Sequence, residues 1–142
     1  MLNKAIEIAA RAHAGQVDKA GAPYILHPLR VMLTREIELE RICAVLHDVI
    51  EDTDVTLDAL RKEGFPEDAI AVLDCLTRRA AEDYDAFIDR ILKNETACRV
   101  KLADLHDNMD LTRIQNPTET DKERLKKYEK ASERILAALS VP

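Results

Sequence analysis

Residues 44–54 read AVLHDVIEDTD, and His47, Asp48, Glu51 and Asp52 put four ionisable groups into six positions of an apolar stretch. Imidazoles and carboxylates at such spacing can bind a transition metal, activate water or move protons. Leu39, Ile42, Cys43, Leu46 and Ile50 recur at spacings of three and four, which predicts an inward helical stripe. His47 follows Cys43 by four and falls on the buried side. Asp48 borders that face, and Glu51 and Asp52 return one turn later. A buried carboxylate without a partner is costly, so the cluster asks for a cation. The competing reading is a core histidine beside a solvated acidic helix end. It places carboxylates at the negative end of the helix dipole, which disfavours it.

Further donors lie elsewhere in the chain. His27 ends the segment GQVDKAGAPYILHP and stands directly before Pro28, which fits the first position of a helix and would fix the direction of the imidazole. In RVKLADLHDNMDL, Ala97, Val100, Asp104, Asn108 and Leu111 share one face, and Asp104 points inward from it. Two imidazoles and two carboxylates (His27, His47, Asp48 and Asp104) make a site for one divalent transition metal with coordination positions left for water or substrate. The tripeptide Leu-His-Asp occurs twice, at 46–48 and again at 105–107. His106 is two residues from Asp104, about 200° around the helix axis, and reads as a surface residue. His13 has no acidic or histidine neighbour at ligand spacing and reads as structural or loop-contacting.

The elements that must position these groups are helices. Helical periodicity predicts them near 3–14, 28–36, 38–51, 56–63, 67–78, 83–93, 95–114 and 118–139, with Thr56, Pro66 and Thr118 as start signals. Aromatics are 4%, Trp is absent, Gly numbers three, and helix formers dominate. The expected fold is all-α, one compact bundle of about eight helices over residues 1–142. The one long irregular segment, 15–28, is of a length that usually serves function. Three widely spaced cysteines in apolar helical patterns read as reduced thiols of a cytoplasmic protein. No run is apolar enough for a membrane helix, and the amphipathic N-terminus is neither signal nor transit peptide. A net charge of −6 argues against general nucleic-acid binding. Nothing in the residues opposes a homo-oligomer.

Four stretches, AHAGQVDKAGAPYILHP, AVLHDVIEDT, LTRR with YDAFIDRI, and VKLADLHDNM, closely resemble the hydrolase domain of the Rel/Spo alarmone enzymes, a branch of the HD-domain metal-dependent phosphohydrolases. The resemblance runs from about residue 5 to 138, and the length is similar to that of the stand-alone small alarmone hydrolases. It implies a bundle that binds one metal ion, usually manganese, through His27, His47, Asp48 and Asp104. Glu51 and Asp52 match the acidic pair that orients and deprotonates the attacking water. Lys19 matches a phosphate-facing loop residue, Asn108 a polar residue beside the nucleotide, and Arg124 and Tyr128 substrate-facing positions. The implied reaction is removal of the 3′-pyrophosphate from (p)ppGpp. The alternatives are an HD phosphohydrolase for another nucleotide, such as a nucleoside monophosphate or a nicotinamide dinucleotide phosphate, and a metal-bound nucleotide sensor without turnover. Two departures stand out: Asp18 replaces the family's Arg before Lys19, and Leu105, Asp107 and Asp110 replace basic residues around Asn108. Both are expected to remove positive charge from where phosphates would lie.

Overall fold

The computed structural model describes residues 1–140, which form nine α-helices and one 3₁₀ turn and no β-strand. The helices are α1 (Leu2–Ala12), α2 (Leu26–Leu33), α3 (Glu38–Leu46), α4 (Val49–Asp52), α5 (Leu57–Lys62), α6 (Glu67–Leu76), α7 (Tyr84–Ile91), α8 (Glu95–Asn108) and α9 (Glu119–Leu139), with the 3₁₀ turn Leu111–Arg113 between the last two. The all-α architecture agrees with the sequence reading. Its eight helical runs become nine because the run 38–51 breaks at His47 and Asp48. The run 95–114 also stops early. α8 ends at Asn108, and the Asp110 carboxylate caps the following 3₁₀ turn by accepting from the Thr112 backbone N–H at 3.0 Å.

α3 is the central element, packed against α1, α2, α6 and α8. It is buried all round and not along one stripe: Ile42, Cys43, Ala44, Val45 and Leu46 are all core residues. A helix surrounded by neighbours needs apolar side chains on every face. Even Glu40 is buried there, its carboxylate accepting from Arg35 Nε at 3.0 Å. Leu46, Leu73, Ile88, Ile91, Leu105 and Ile135 extend the core into α6, α7, α8 and α9. Fully burying each such side chain contributes about 1.5–3 kcal/mol.

Local chemistry sets the ends. Thr56 Oγ1 accepts from Ala59 N at 3.1 Å, and Thr118 and Asp121 form a reciprocal capping box at the start of α9. Such caps contribute about 1 kcal/mol each. The helix at His27 starts earlier than Pro28 suggests. α2 begins at Leu26 and Pro28 is its third residue, still within the first turn where a missing N–H costs nothing. The connection from His13 to Ile25 is ordered: Val17 and Pro23 form an antiparallel bridge, and Tyr24 N donates to Gln16 O at 2.9 Å. Gly21 turns this loop at φ 84°, a conformation that a side chain would strain.

Candidate metal centre and its cleft

His27 from α2, His47 and Asp48 from the α3–α4 break, and Asp104 from α8 converge, with one ligand-type atom of each within 4.8 Å of every other. His27 Nε2 lies 2.8 Å, and His47 Nε2 3.1 Å, from Asp104 Oδ1. Asp48 Oδ2 is 3.0 Å from His47 Nε2 and 3.8 Å from His27 Nε2. The two imidazoles and Asp104 are buried, and Asp48 is mostly so. The break at 47–48 makes this possible. His47 Nδ1 donates to the Ala44 carbonyl at 2.5 Å, so the ring supplies that oxygen with a donor as the helix stops.

The surrounding hydrogen bonds orient every donor. His27 Nδ1 donates to Asp107 Oδ2 at 2.6 Å, so both imidazoles have Nδ1 engaged and present Nε2 to the centre. The Tyr24 hydroxyl donates to Asp48 Oδ2. Lys101 Nζ holds Asp104 Oδ2 at 2.9 Å, and Asn108 Nδ2 donates to Asp104 Oδ1 at 3.2 Å. Burial opposes charge on His47, yet Asp48 and Asp104 outweigh it and hold its pKa well above the imidazole's usual value. Burial would likewise raise the pKa of Asp104, but Lys101 and His47 hold it well below the carboxylate range. Asp48 behaves similarly, lowered to about 2 mainly by His47 against its burial. Two oriented nitrogens and two anionic carboxylates in a dry setting form a donor set suited to one divalent transition metal.

Glu51 and Asp52 sit on α4, outside this four-residue cluster. Glu51 Oε1 accepts the Arg78 backbone N–H at 2.9 Å, which fixes its carboxylate against the loop after α6. Partial burial, then Asp48 and Glu51, push Asp52 up to about 6. Lys19, Asn108, Arg124 and Tyr128 all line one cleft of about 300 Å³, which meets the cluster through His27 and Tyr24. Lys19 is already paired there, its Nζ 2.9 Å from Asp121 Oδ1. Asn108 is exposed on the cleft side while its amide reaches Asp104. His106 is exposed, and His13 is buried beside Tyr24 with Nδ1 2.8 Å from Gln16 Oε1.

Five residues of the site escaped the sequence reading: Tyr24, Arg30, Lys101, Asp107 and Arg113. Spacing could have found three, since Lys101 and Asp107 flank Asp104 at three residues and Arg30 follows His27 by three. The acids near Asn108 have partners of their own. Asp107 accepts from Arg30 Nε at 2.8 Å and lies 3.3 Å from Arg113 Nη2, while Asp110 pairs with Arg113 Nη1 at 2.9 Å. These acids bring two arginines to the cleft. The Asp18 carboxylate is also in use: it accepts from the Ala20 and Ala22 backbone N–H groups at 2.9 and 3.0 Å and so folds the loop.

No protein-family profile matches the chain. Among curated proteins it is 35% identical to a guanosine-3′,5′-bis(diphosphate) 3′-pyrophosphohydrolase of Vibrio cholerae over 122 residues, which is 76% of this chain and 17% of that protein. It is 40% identical to the same-named protein of Borreliella burgdorferi over 79 residues, 53% of this chain and 12% of that one. A solved metazoan ortholog of SpoT, described as hydrolysing ppGpp, superposes with a TM-score of 0.78 at 25% identity, covering 98% of this chain and 85% of that one. In sequence and in fold the chain resembles the hydrolase domain of the Rel/Spo enzymes. It spans 12% and 17% of the lengths of these two curated relatives. The superposition with the metazoan structure covers nearly the whole chain, including the helices that carry the cluster and the cleft.

Proposed function

We propose that this domain is a metal-dependent hydrolase that removes the 3′-pyrophosphate from (p)ppGpp, giving GDP or GTP and pyrophosphate. The observation that carries the reading is the convergence of His27, His47, Asp48 and Asp104 beside an acidic pair, at the edge of a cleft holding Lys19, Arg124 and Tyr128. Held by those four residues, a divalent cation, manganese by family resemblance, would supply Lewis acidity to water and to a phosphoryl oxygen. The chain's own groups do the rest. Asp52, with a pKa near neutrality, is ionised at pH 7 yet basic enough to take the proton of the attacking water. Glu51, pinned by Arg78 N, offers its other oxygen to orient that water. The new P–O bond forms at the phosphorus next to the ribose 3′ oxygen. The bond to that oxygen breaks, and the oxygen leaves as a hydroxyl after gaining a proton. Lys19 and Arg124 offset phosphate charge, Tyr128 packs against the base or ribose, and Asn108 contacts the nucleotide.

We place the domain in the cytoplasm, acting on a free nucleotide in a starvation-type response. A second reading, hydrolysis of a less phosphorylated nucleotide, draws on the pairing of Lys19, Arg30 and Arg113 with carboxylates inside the cleft. The test is pyrophosphate and phosphate release with Mn²⁺ across ppGpp, pppGpp, nucleoside monophosphates and NADPH. Pyrophosphate release confined to the alarmones is expected. Turnover of another nucleotide with none of ppGpp would overturn the substrate assignment.

A further inference from the structure

The cations around the site divide by their partners. Lys19, Arg30 and Arg113 are each neutralised by a carboxylate, at 2.9, 2.8 and 2.9 Å. Arg78, Arg124 and Lys127 are not: among the described residues none of the three forms an ion pair with an acid. Lys127 Nζ stands over the Tyr84 ring, 4.3 Å from its centre, and 5.5 Å from the centre of the Tyr128 ring. Arg78 gives its backbone N–H to Glu51 and its Nε to the Glu82 carbonyl at 3.0 Å, so its terminal nitrogens are the part left for a ligand. The Tyr84 hydroxyl is buried with no hydrogen-bond partner among the described residues.

These groups flank the site already described. Tyr128 lines the cleft together with Lys19 and Arg124, and Lys127 is its chain neighbour, turned toward Tyr84. Glu51 ties Arg78 to α4, the helix that carries the acidic pair. Like charges collected without acids repel one another, and partial desolvation followed by Arg78 and Arg124 holds the Lys127 ammonium below the usual lysine range. Aromatic faces stabilise such a cation only in part. An anion with several oxygens would neutralise all three cations at once.

Resting on the hydrolase reading, we propose that Arg78 and Lys127, with Arg124, form a second anion subsite at Tyr84 that takes the diphosphate group attacked by water. Lys19 and its side of the cleft then serve the other phosphates of the nucleotide. The link from Arg78 to Glu51 assigns the attacked diphosphate to this side, because Glu51 is the residue placed next to the water. Selectivity for a diphosphate over a single phosphate follows from having two cations on separate elements, the α6–α7 loop and α9.

The test is calorimetric titration of inorganic pyrophosphate, and separately of GDP, into the 142-residue chain at low salt. Arg78 and Lys127 are exposed, so the double variant R78Q/K127Q should fold normally, as its thermal melt would show. It should weaken pyrophosphate binding by about tenfold or more and leave GDP within twofold, while K127R retains wild-type binding. Wild-type pyrophosphate affinity in the double variant, or equal losses for pyrophosphate and GDP, would overturn the subsite. So would a wild-type chain that does not bind pyrophosphate. The hydrolase reading is scored separately by ppGpp turnover of the wild type. Turnover combined with pyrophosphate binding that ignores Arg78 and Lys127 sinks the subsite alone. Binding that depends on them without ppGpp turnover supports the subsite and sinks the substrate assignment.

Discussion

Leu46-His47-Asp48 and Leu105-His106-Asp107 are the same three residues with opposite arrangements. In both, the leucine is fully buried. In the first, the helix stops after Leu46, and His47 and Asp48 both turn to the centre, 3.0 Å apart. In the second, α8 runs on to Asn108. About 100° of rotation per residue then sends His106 to solvent and brings Asp107 back toward His27. The histidine that faces inward is the one whose ring adds a donor to a carbonyl at a helix end. A His-Asp pair is therefore not a site by itself. A continuous helix cannot aim two adjacent side chains at one point, and a broken one can.

The sharpest way to break that comparison is to remove each histidine. His47→Ala should lose the divalent metal by elemental analysis and abolish hydrolysis, whereas His106→Ala should retain both. Metal loss in the His106 variant would refute the distinction between the two tripeptides.

Next in size is Asp52, four residues after Asp48, where the second tripeptide is followed by Leu111. Asp52→Asn keeps shape but cannot take a proton, so kcat should fall by roughly 10²–10⁴ with metal content unchanged. Asp52 is raised to about 6, above the ordinary carboxylate range, and must be ionised to act. Activity is therefore present above that value and lost as pH falls through it. A bound cation can only lower the midpoint, so the wild-type acid limb should lie at or below about pH 6. Asp52→Asn should remove that limb from the pH–rate profile, and an unchanged limb would assign it elsewhere.

The leucines offer the symmetric part of the test. Leu46→Ala and Leu105→Ala should each cost about 2–5 kcal/mol in chemical denaturation, because both leave a cavity in the same continuous core. A large inequality between them would show that the two ends of the core relax differently.

The smallest effect expected belongs to Asp107, which orients the His27 ring from outside the four-residue cluster. Asp107→Asn should weaken metal binding by about 10–100-fold in a calorimetric titration, with the fold intact. Undiminished affinity would mean that Arg30 and the packing of α2 are enough to hold the His27 ring.

Much of this was readable from local rules. Thr56 and Thr118 announced helix starts because a hydroxyl beside free N–H groups satisfies them wherever the rest of the chain goes. Asp104 read as inward and His106 as outward because a helix has a fixed angular period. Misreadings came where a neighbour distant in sequence intervened. The stripe on 38–51 became a helix buried on all sides because four other helices cover it. The structural part played by Asp107 was hidden for the same reason, since the His27 and Arg30 that it holds lie 80 and 77 positions away.

The sequence by itself determined the all-α class, the helix faces and the donor types that face inward, because these follow from periodicity and from the cost of burying an unpaired charge. Only the tertiary structure decided which donors meet. His27 reaches Asp104 across 77 positions and His47 reaches it across 57, distances over which no local spacing rule operates. It also decided which cations are free, pairing Lys19 with Asp121 across 102 positions and leaving Lys127 over Tyr84. The physical reason is the same in each case: a side chain's charge is a property of its type, but its partner is set by which helices pack together.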